Sequence, residues 1–343
     1  MPEVPAAPAG PASPSAPPRR RGRRCLFAIA AVFAALLAAE IAVRVLAGLT
    51  GRSRAMTFDA TLGWRMLPDV SRRGDGWSAT QAGFTNSRGW RDGEHAERRV
   101  AGRRRLLALG DSCVFGANVD YGQRFTELLE DEHTEVLNMA VCAWATDQQV
   151  LAFEAEGAAR EPDVVVWVVC LANDLEDIRC RRNSGWPKPY FTLDGDRLQL
   201  VPPVSDWGLQ LRTASYLAEL VCQVLEANVP RREYAPAWRD AEALDLFAAL
   251  ARRLATDCAA CQTKLLAVLE PIGTPTPLPA TEQSHRVRAV LEAAGIACLD
   301  LLPALVVEQE HWAELRLPCG HWSPRGHAVV AASLRGELAR RGW

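Results

Sequence analysis

Net charge is what this sequence has least of. Lysine and arginine total 39 against 41 aspartates and glutamates, a formal net charge of −2 over 343 residues. That balance offers nucleic acid no global attraction, so no nucleic-acid partner is expected; the basic clusters Arg19–Arg24 and Arg98–Arg105 act only locally. A disulfide framework is lacking too. Ten cysteines are scattered through a chain too long and too apolar to need covalent staples. Cys113 and Cys170 fall in or beside predicted strands, where a thiol behaves as a small buried hydrophobe. Cys258-Ala-Ala-Cys261 has no second pair, which argues against zinc. His95, His133, His285 and His311 show no ligand spacing, and no glycine-rich loop could cradle a phosphate. Neither a metal nor a cofactor is expected. With 49% hydrophobic and 23% charged residues, what remains is an ordinary globular composition.

Residues 1–18 are Pro, Ala, Ser and Gly with almost no large apolar side chain, so the tail 1–24, ending in its arginine cluster, is expected to be disordered. Residues 25–49 are apolar except for Glu40 and Arg44, long enough to span a bilayer. Four apart on a helix, Glu40 and Arg44 would pair near the far interface. The arginines in front favour a cytoplasmic N-terminus. The expectation is therefore a single-pass signal anchor in the cytoplasmic membrane, with the remaining chain outside; a cleaved signal peptide is the alternative.

Residues 50–103 are rich in Gly, Trp and Arg and read as an irregular lead-in packed over the domain, with Gly93–Arg105 as a solvated linker. From residue 104 apolar runs alternate with helical patterns. Strands are predicted at 106–109, 135–141, 163–171, 263–269 and 296–300. Helices are predicted at 123–132, 146–160 with Thr146 as N-cap, 238–257, 281–294 and 324–340, the last starting at Ser323 or Pro324. Such alternation means a three-layer α/β sandwich on a parallel sheet. Residues 180–235 interrupt it with a hairpin over 190–201, turning at Asp194-Gly195, and a short helix near 213–225. The insertion is expected either to overhang the strand ends as a lid or to decorate an edge.

Chemistry-bearing residues fall at successive strand ends, the edge where open α/β sheets bind ligands. Gly110-Asp111-Ser112 follows the first strand. Asn138-Met-Ala140-Val-Cys-Ala143 follows the second. Leu171-Ala172-Asn173-Asp174 follows the third, and Gly320-His321-Trp322-Ser323-Pro324-Arg325-Gly326-His327 leads into the last helix. A serine, a histidine, an asparagine and backbone amides in one crevice are the parts of acyl transfer. Serine attacks, histidine takes its proton, and the amides hold the oxyanion. Asp111 and Asp174 read as turn-fixing residues, Asp147 as charge at a helix N-terminus, and His327 as a structural group beneath the site.

These blocks and their order resemble the SGNH (GDSL-type) hydrolase superfamily, and the resemblance covers about residues 104–340. It implies a flavodoxin-like sandwich and hydrolysis or transfer of an ester-linked acyl group. By the same resemblance Ser112 is the nucleophile, His321 the base, and Asn173 and the residue at Ala143 oxyanion donors. The apolar helix and the Trp/Gly-rich lead-in also resemble membrane-anchored bacterial members. Two positions depart from the pattern. Ala143 stands where the family has glycine, and its N–H can donate only if φ is not forced positive. The family's aspartate precedes the histidine by two or three residues, where this chain has Cys319 and Pro318, leaving a Ser-His dyad. Asp300 ends a strand and reads as structural. The expected substrate is a small-molecule, glycan or lipid ester. O-acetyl transfer to an exported polysaccharide, or a non-catalytic binding module on a decayed hydrolase fold, are the alternatives.

Overall fold

Five apolar runs meet as one parallel sheet. In the computed structural model, which describes residues 19–49, 55–72, 83–227, 237–271, 277–307 and 312–343, they are β1 (Arg104–Leu109), β2 (Thr134–Asn138), β3 (Val164–Cys170), β4 (Lys264–Glu270) and β5 (Ala297–Asp300). The sheet order is β2-β1-β3-β4-β5, with every neighbouring pair parallel. This order reverses direction between β1 and β3, the switch point where such sheets open a crevice beyond their carboxyl ends. All seven residues of β3 are buried, because helices cover both faces.

The side-chain period of two sorts the core into two layers. Leu107, Leu109, Val165, Trp167, Val169, Ala267 and Leu269 pack with α4 (Thr146–Ala152) and α8 (Ala241–Ala260). Their alternates Leu106, Ala108, Val166, Val168, Leu266 and Val268 pack with Phe125, Leu129 and the C-terminal helix Pro324–Arg341. The expected three-layer αβα sandwich is what the chain forms.

Several local expectations change. The helix foreseen over 123–132 is a 3₁₀ turn, Tyr121–Gln123, followed by α-helix Phe125–Leu129. It stops because Glu130 is extended, its carboxylate accepting the Val136 N–H at 3.1 Å. Thr146 is not the N-cap of its helix. Ala145 holds that place, its N–H donating to Gln148 Oε1 at 3.3 Å, and Thr146 is fully buried as the first helical residue. That helix also changes character, passing at Phe153–Gly157 into a π turn and at Ala158–Arg160 into a 3₁₀ turn. Gly93–Arg105 is no solvated linker at its end. Arg105 is fully buried, donating to Glu135 Oε1 at 3.0 Å and to the carbonyls of Ala96, Arg98 and Arg160. Asp147 stands in the first turn of its helix as expected, but it is buried. It forms a fully buried ion pair with Lys188, and burial, opposed by Lys188, pushes its carboxyl up to about 6.

The hairpin forms as Tyr190–Asp194 with Arg197–Val201, and Gly195 takes φ +60° at the first loop position. It packs on α8, where Phe191 is buried beneath the Arg253 guanidinium, 5.0 Å from the ring centre. Two helices follow, α6 (Trp207–Ala214) and α7 (Tyr216–Ala227). At the other end of the chain, α1 (Arg19–Leu49) is one continuous helix whose apolar side chains are exposed. Of the tail expected to be disordered, 1–24, residues 1–18 lie outside the described residues, as does His311, whereas 19–24 are not disordered but form the first turns of α1.

Candidate functional site

β1 ends at Leu109, and Gly110 turns the chain at once into α2 (Ser112–Phe115). A Cβ on Gly110 would sit 2.3 Å from Val114 Cγ2, so strand and helix close this tightly only around glycine. Asp111 Oδ1 accepts the Cys113 N–H at 3.1 Å and caps the turn. Ser112 is left half-buried at the carboxyl edge of the sheet.

His321 reaches that serine from the other end of the chain. Its loop is pinned by Arg316, whose guanidinium donates to the carbonyls of Gly320 (2.7 Å) and Pro271 (2.9 Å), and Trp322 beside it is fully buried. His321 Nε2 lies 2.9 Å from Ser112 Oγ, and Nδ1 lies 2.9 Å from Asn118 Oδ1. An amide oxygen only accepts, so Nδ1 carries the proton and Nε2 keeps its lone pair for the serine hydroxyl. Burial lowers the His321 pKa, opposed by the Glu270 carboxylate and assisted by Arg316, so the neutral base predominates at pH 7.

Asn118 is thus hydrogen-bonded in line with His321 and Ser112. Asn118 stands in the left-handed region (φ +68°), just beyond Gly116 (φ +74°), the C-cap of the serine's own helix. Asparagine tolerates that conformation better than most residues. Buried Arg91 grips the loop, donating to the carbonyls of Phe115 (2.9 Å), Gly116 and Val119 (2.9 Å). Cys319 stands on the same side of the ring, with Sγ 3.4 Å from Nδ1 and 3.6 Å from Asn118 Oδ1.

Ala143 takes φ +63°, the left-handed conformation usually left to glycine. The condition placed on it is not met: an L-alanine there is strained by about 1–2 kcal/mol. Its segment is held by the lead-in, in which Trp64 Nε1 donates to Cys142 O (3.4 Å) and Trp144 Nε1 to Trp64 O (3.0 Å). Ala143 O accepts from Asn183 Nδ2 at 2.9 Å, Asn183 donates also to Asp177 Oδ2 (2.9 Å), and Asp177 Oδ2 accepts from Asn173 Nδ2 (3.1 Å). The Asn173 side chain hydrogen-bonds Asp111 as well. One polar chain thus joins Ala143, Asn173 and the turn carrying Ser112. Asn183 is a point at which the insertion meets the site.

Beneath Ser112 lies a buried acidic layer. Glu270, at the tip of β4, accepts the Cys113 thiol (2.9 Å) and Arg316 (3.1 Å). Asp111, Cys170 and Glu270 bring three ligand-type atoms within 4.8 Å of one another, all buried. Burial and the Glu270 carboxylate push Asp111 up to about 7 and the Cys170 thiol well above its usual range. The remaining residues are structural. Asp174 accepts the Cys170 N–H (2.9 Å), and Asp300 accepts from Ser284 and the Leu302 N–H (2.8 Å). His327 Nδ1 accepts the Phe125 N–H (3.2 Å), its ring stacked on Phe125 beneath the site. Cys258 is buried, Cys261 exposed, and both are free thiols.

Asn118, Arg91 and Trp64 had no role in the sequence reading. The available signal was Gly116-Ala117-Asn118, two left-handed formers just past the serine helix.

No protein-family model matches the chain, and no curated protein matches it. Among solved structures it is similar to TesA at 15% identity and a TM-score of 0.41, covering 68% of this chain and 98% of that one. LAE5, an alpha/beta hydrolase enzyme from the metagenome of Lake Arreo, gives 14% identity and a TM-score of 0.42 over 71% and 97% of the two chains. Axe2, an acetylxylan esterase from Geobacillus stearothermophilus, gives 14% and 0.41 over 70% and 94%.

Proposed function

We propose that this chain is a membrane-anchored serine esterase that cleaves an ester-linked acyl group through an acyl-enzyme. The observation that supports it most is the relay from Ser112 through His321 to Asn118, with both bonds at 2.9 Å. Ser112 Oγ attacks the ester carbonyl while His321 Nε2 takes its proton. The imidazolium so formed is steadied at Nδ1 by Asn118 and returns the proton to the leaving alkoxide. The N–H of Ser112 and the Asn173 side chain receive the oxyanion. Water, activated by the same histidine, then releases the acid.

Residues Arg23–Leu49 form one helix long and apolar enough to cross a membrane. With arginines at its start, the reading keeps the N-terminus in the cytoplasm and the catalytic domain on the opposite side. Acetyl esters of envelope glycans and lipid esters are the substrates reachable there.

The test is hydrolysis of p-nitrophenyl acetate by the full chain in detergent, with Ser112→Ala and His321→Ala alongside. Loss of turnover in both variants supports the relay. Turnover retained in either one overturns it, and background rates in all three point to a binding module. Adding a sugar acceptor separates hydrolysis from transfer, since a transferase would yield acyl-sugar in place of free acid.

A further inference from the structure

The segment α6–α7 is built inside out. Its charged pair points inward: buried Arg212 donates to Glu219 (2.5 and 3.2 Å) and lies over the Trp186 ring at 5.6 Å. Leu209 is buried, but most of the segment's large apolar side chains point outward, with Trp207 79%, Leu211 52%, Val221 49% and Leu225 62% exposed. Water is a poor partner for such a face, and contiguous patches of this kind mark a contact surface.

What covers it is indicated by α1. Glu40 lies sixteen residues beyond Arg24. At about 1.5 Å per residue that is roughly 24 Å along the helix axis, inside a hydrocarbon layer about 30 Å thick. A carboxylate at that depth needs partners. Arg44 supplies one (2.6 Å), and the start of α7 supplies three: the Ser215 hydroxyl (2.7 Å) and the N–H groups of Tyr216 (3.0 Å) and Leu217 (2.9 Å). Arg44 in turn donates to Ala214 O (3.1 Å) and stands over the Tyr216 ring. The junction of α6 and α7 therefore shares the depth of Glu40.

We propose that α6 and α7 are embedded in the outer half of the bilayer that α1 crosses, their outward face covered by lipid acyl chains. The pair forms a second, interfacial foothold, held to the anchor by Glu40 and Arg44. A domain with two footholds cannot swing freely on its anchor. The proposal rests on the reading that α1 stays in the membrane.

The experiment uses the full chain in vesicles of phosphatidylcholine and phosphatidylglycerol. Benzoylphenylalanine replaces, one at a time, Phe33, Trp207, Val221, Leu225 or Val100, and ultraviolet-induced lipid adducts are read by mass spectrometry. Phe33, exposed on α1, reports the anchor, and Val100, exposed on the domain, is the aqueous control. Expected are lipid adducts at 207, 221 and 225 comparable with those at 33, and background at 100. Adducts at 33 with background at the three α6–α7 positions overturn the proposal and leave the anchor standing. Background at 33 removes the anchor reading and the proposal together. Crosslinks from α6–α7 to a second copy of the chain replace lipid by protein as the occupant and also overturn it.

Discussion

Asn118→Ala removes the acceptor of the His321 Nδ1 proton, now a neutral hydrogen bond at 2.9 Å. In the transition state the ring holds the serine proton as well, and the bond becomes charge-assisted. A bond of that kind contributes about 1.5–3 kcal/mol against about 1 for the neutral one. Only the difference, about 0.5–2 kcal/mol, acts on kcat, and since about 1.36 kcal/mol corresponds to tenfold in rate, kcat should fall about 2- to 30-fold. KM should stay unchanged, because no substrate contact is lost. The assay is p-nitrophenyl ester hydrolysis across pH. Neutral His321 is the active form, so activity falls as pH drops through its pKa, and burial places that acid limb below the usual 6.5. Asn118→Asp puts a carboxylate beside the imidazolium, which raises both kcat and the pH of the limb. In a serine protease the exchange of aspartate for asparagine costs roughly 10⁴ in kcat, the upper bound for the gain here. Cys319, 3.4 Å from Nδ1, is the one neighbour placed to substitute among the described residues, so the Asn118→Ala/Cys319→Ala double variant is measured too. An unchanged kcat and pH profile in that double variant would refute the role given to Asn118.

Ala143→Gly should relieve left-handed strain at φ +63°, raising stability by about 0.5–1 kcal/mol after the unfolded-state entropy of glycine is set against it; a lower thermal midpoint would contradict the strain. Arg91→Lys keeps the charge but loses the fork spanning the carbonyls of Phe115 and Val119, so the Asn118 loop should loosen and kcat drop by about tenfold with the fold intact by circular dichroism. Burial lowers the His327 pKa to about 3 from 6.5. Its unfolded form gains a proton first as pH falls, so its share of stability is present above 6.5 and is lost between 6.5 and about 3, at up to about 1.4 kcal/mol per pH unit. Urea titrations at pH 7 and 5 should show that slope shrink in His327→Asn, which keeps an acceptor for the Phe125 N–H; an equal slope would assign the acid sensitivity elsewhere.

Much was legible in one dimension because its cause is local. The continuous apolar run of β3 specifies a strand buried on both faces. Gly110-Asp111-Ser112 specifies a tight strand-to-helix turn with a capping carboxylate, and Ser323-Pro324 specifies a helix start. Periodicity, turn chemistry and capping act over a handful of residues, so the sheet order's raw materials and the positions of Ser112, Asn173 and His321 could be read directly.

Tertiary structure decided what depends on closure across the chain. Asn118 sits six positions from the serine, yet its partner is 203 residues away, and only the folded loop aims its amide at Nδ1. Arg91 and Trp64 looked like irregular lead-in, because a buried guanidinium satisfied by carbonyls and an indole bonded to a distant loop leave no periodic trace. The positive φ of Ala143 is likewise imposed by the loop's surroundings, against the residue's own preference. Local sequence chose the elements and placed the reactive groups at strand ends; long-range packing, which alone brings residues hundreds of positions apart within 3 Å, chose how those groups are oriented.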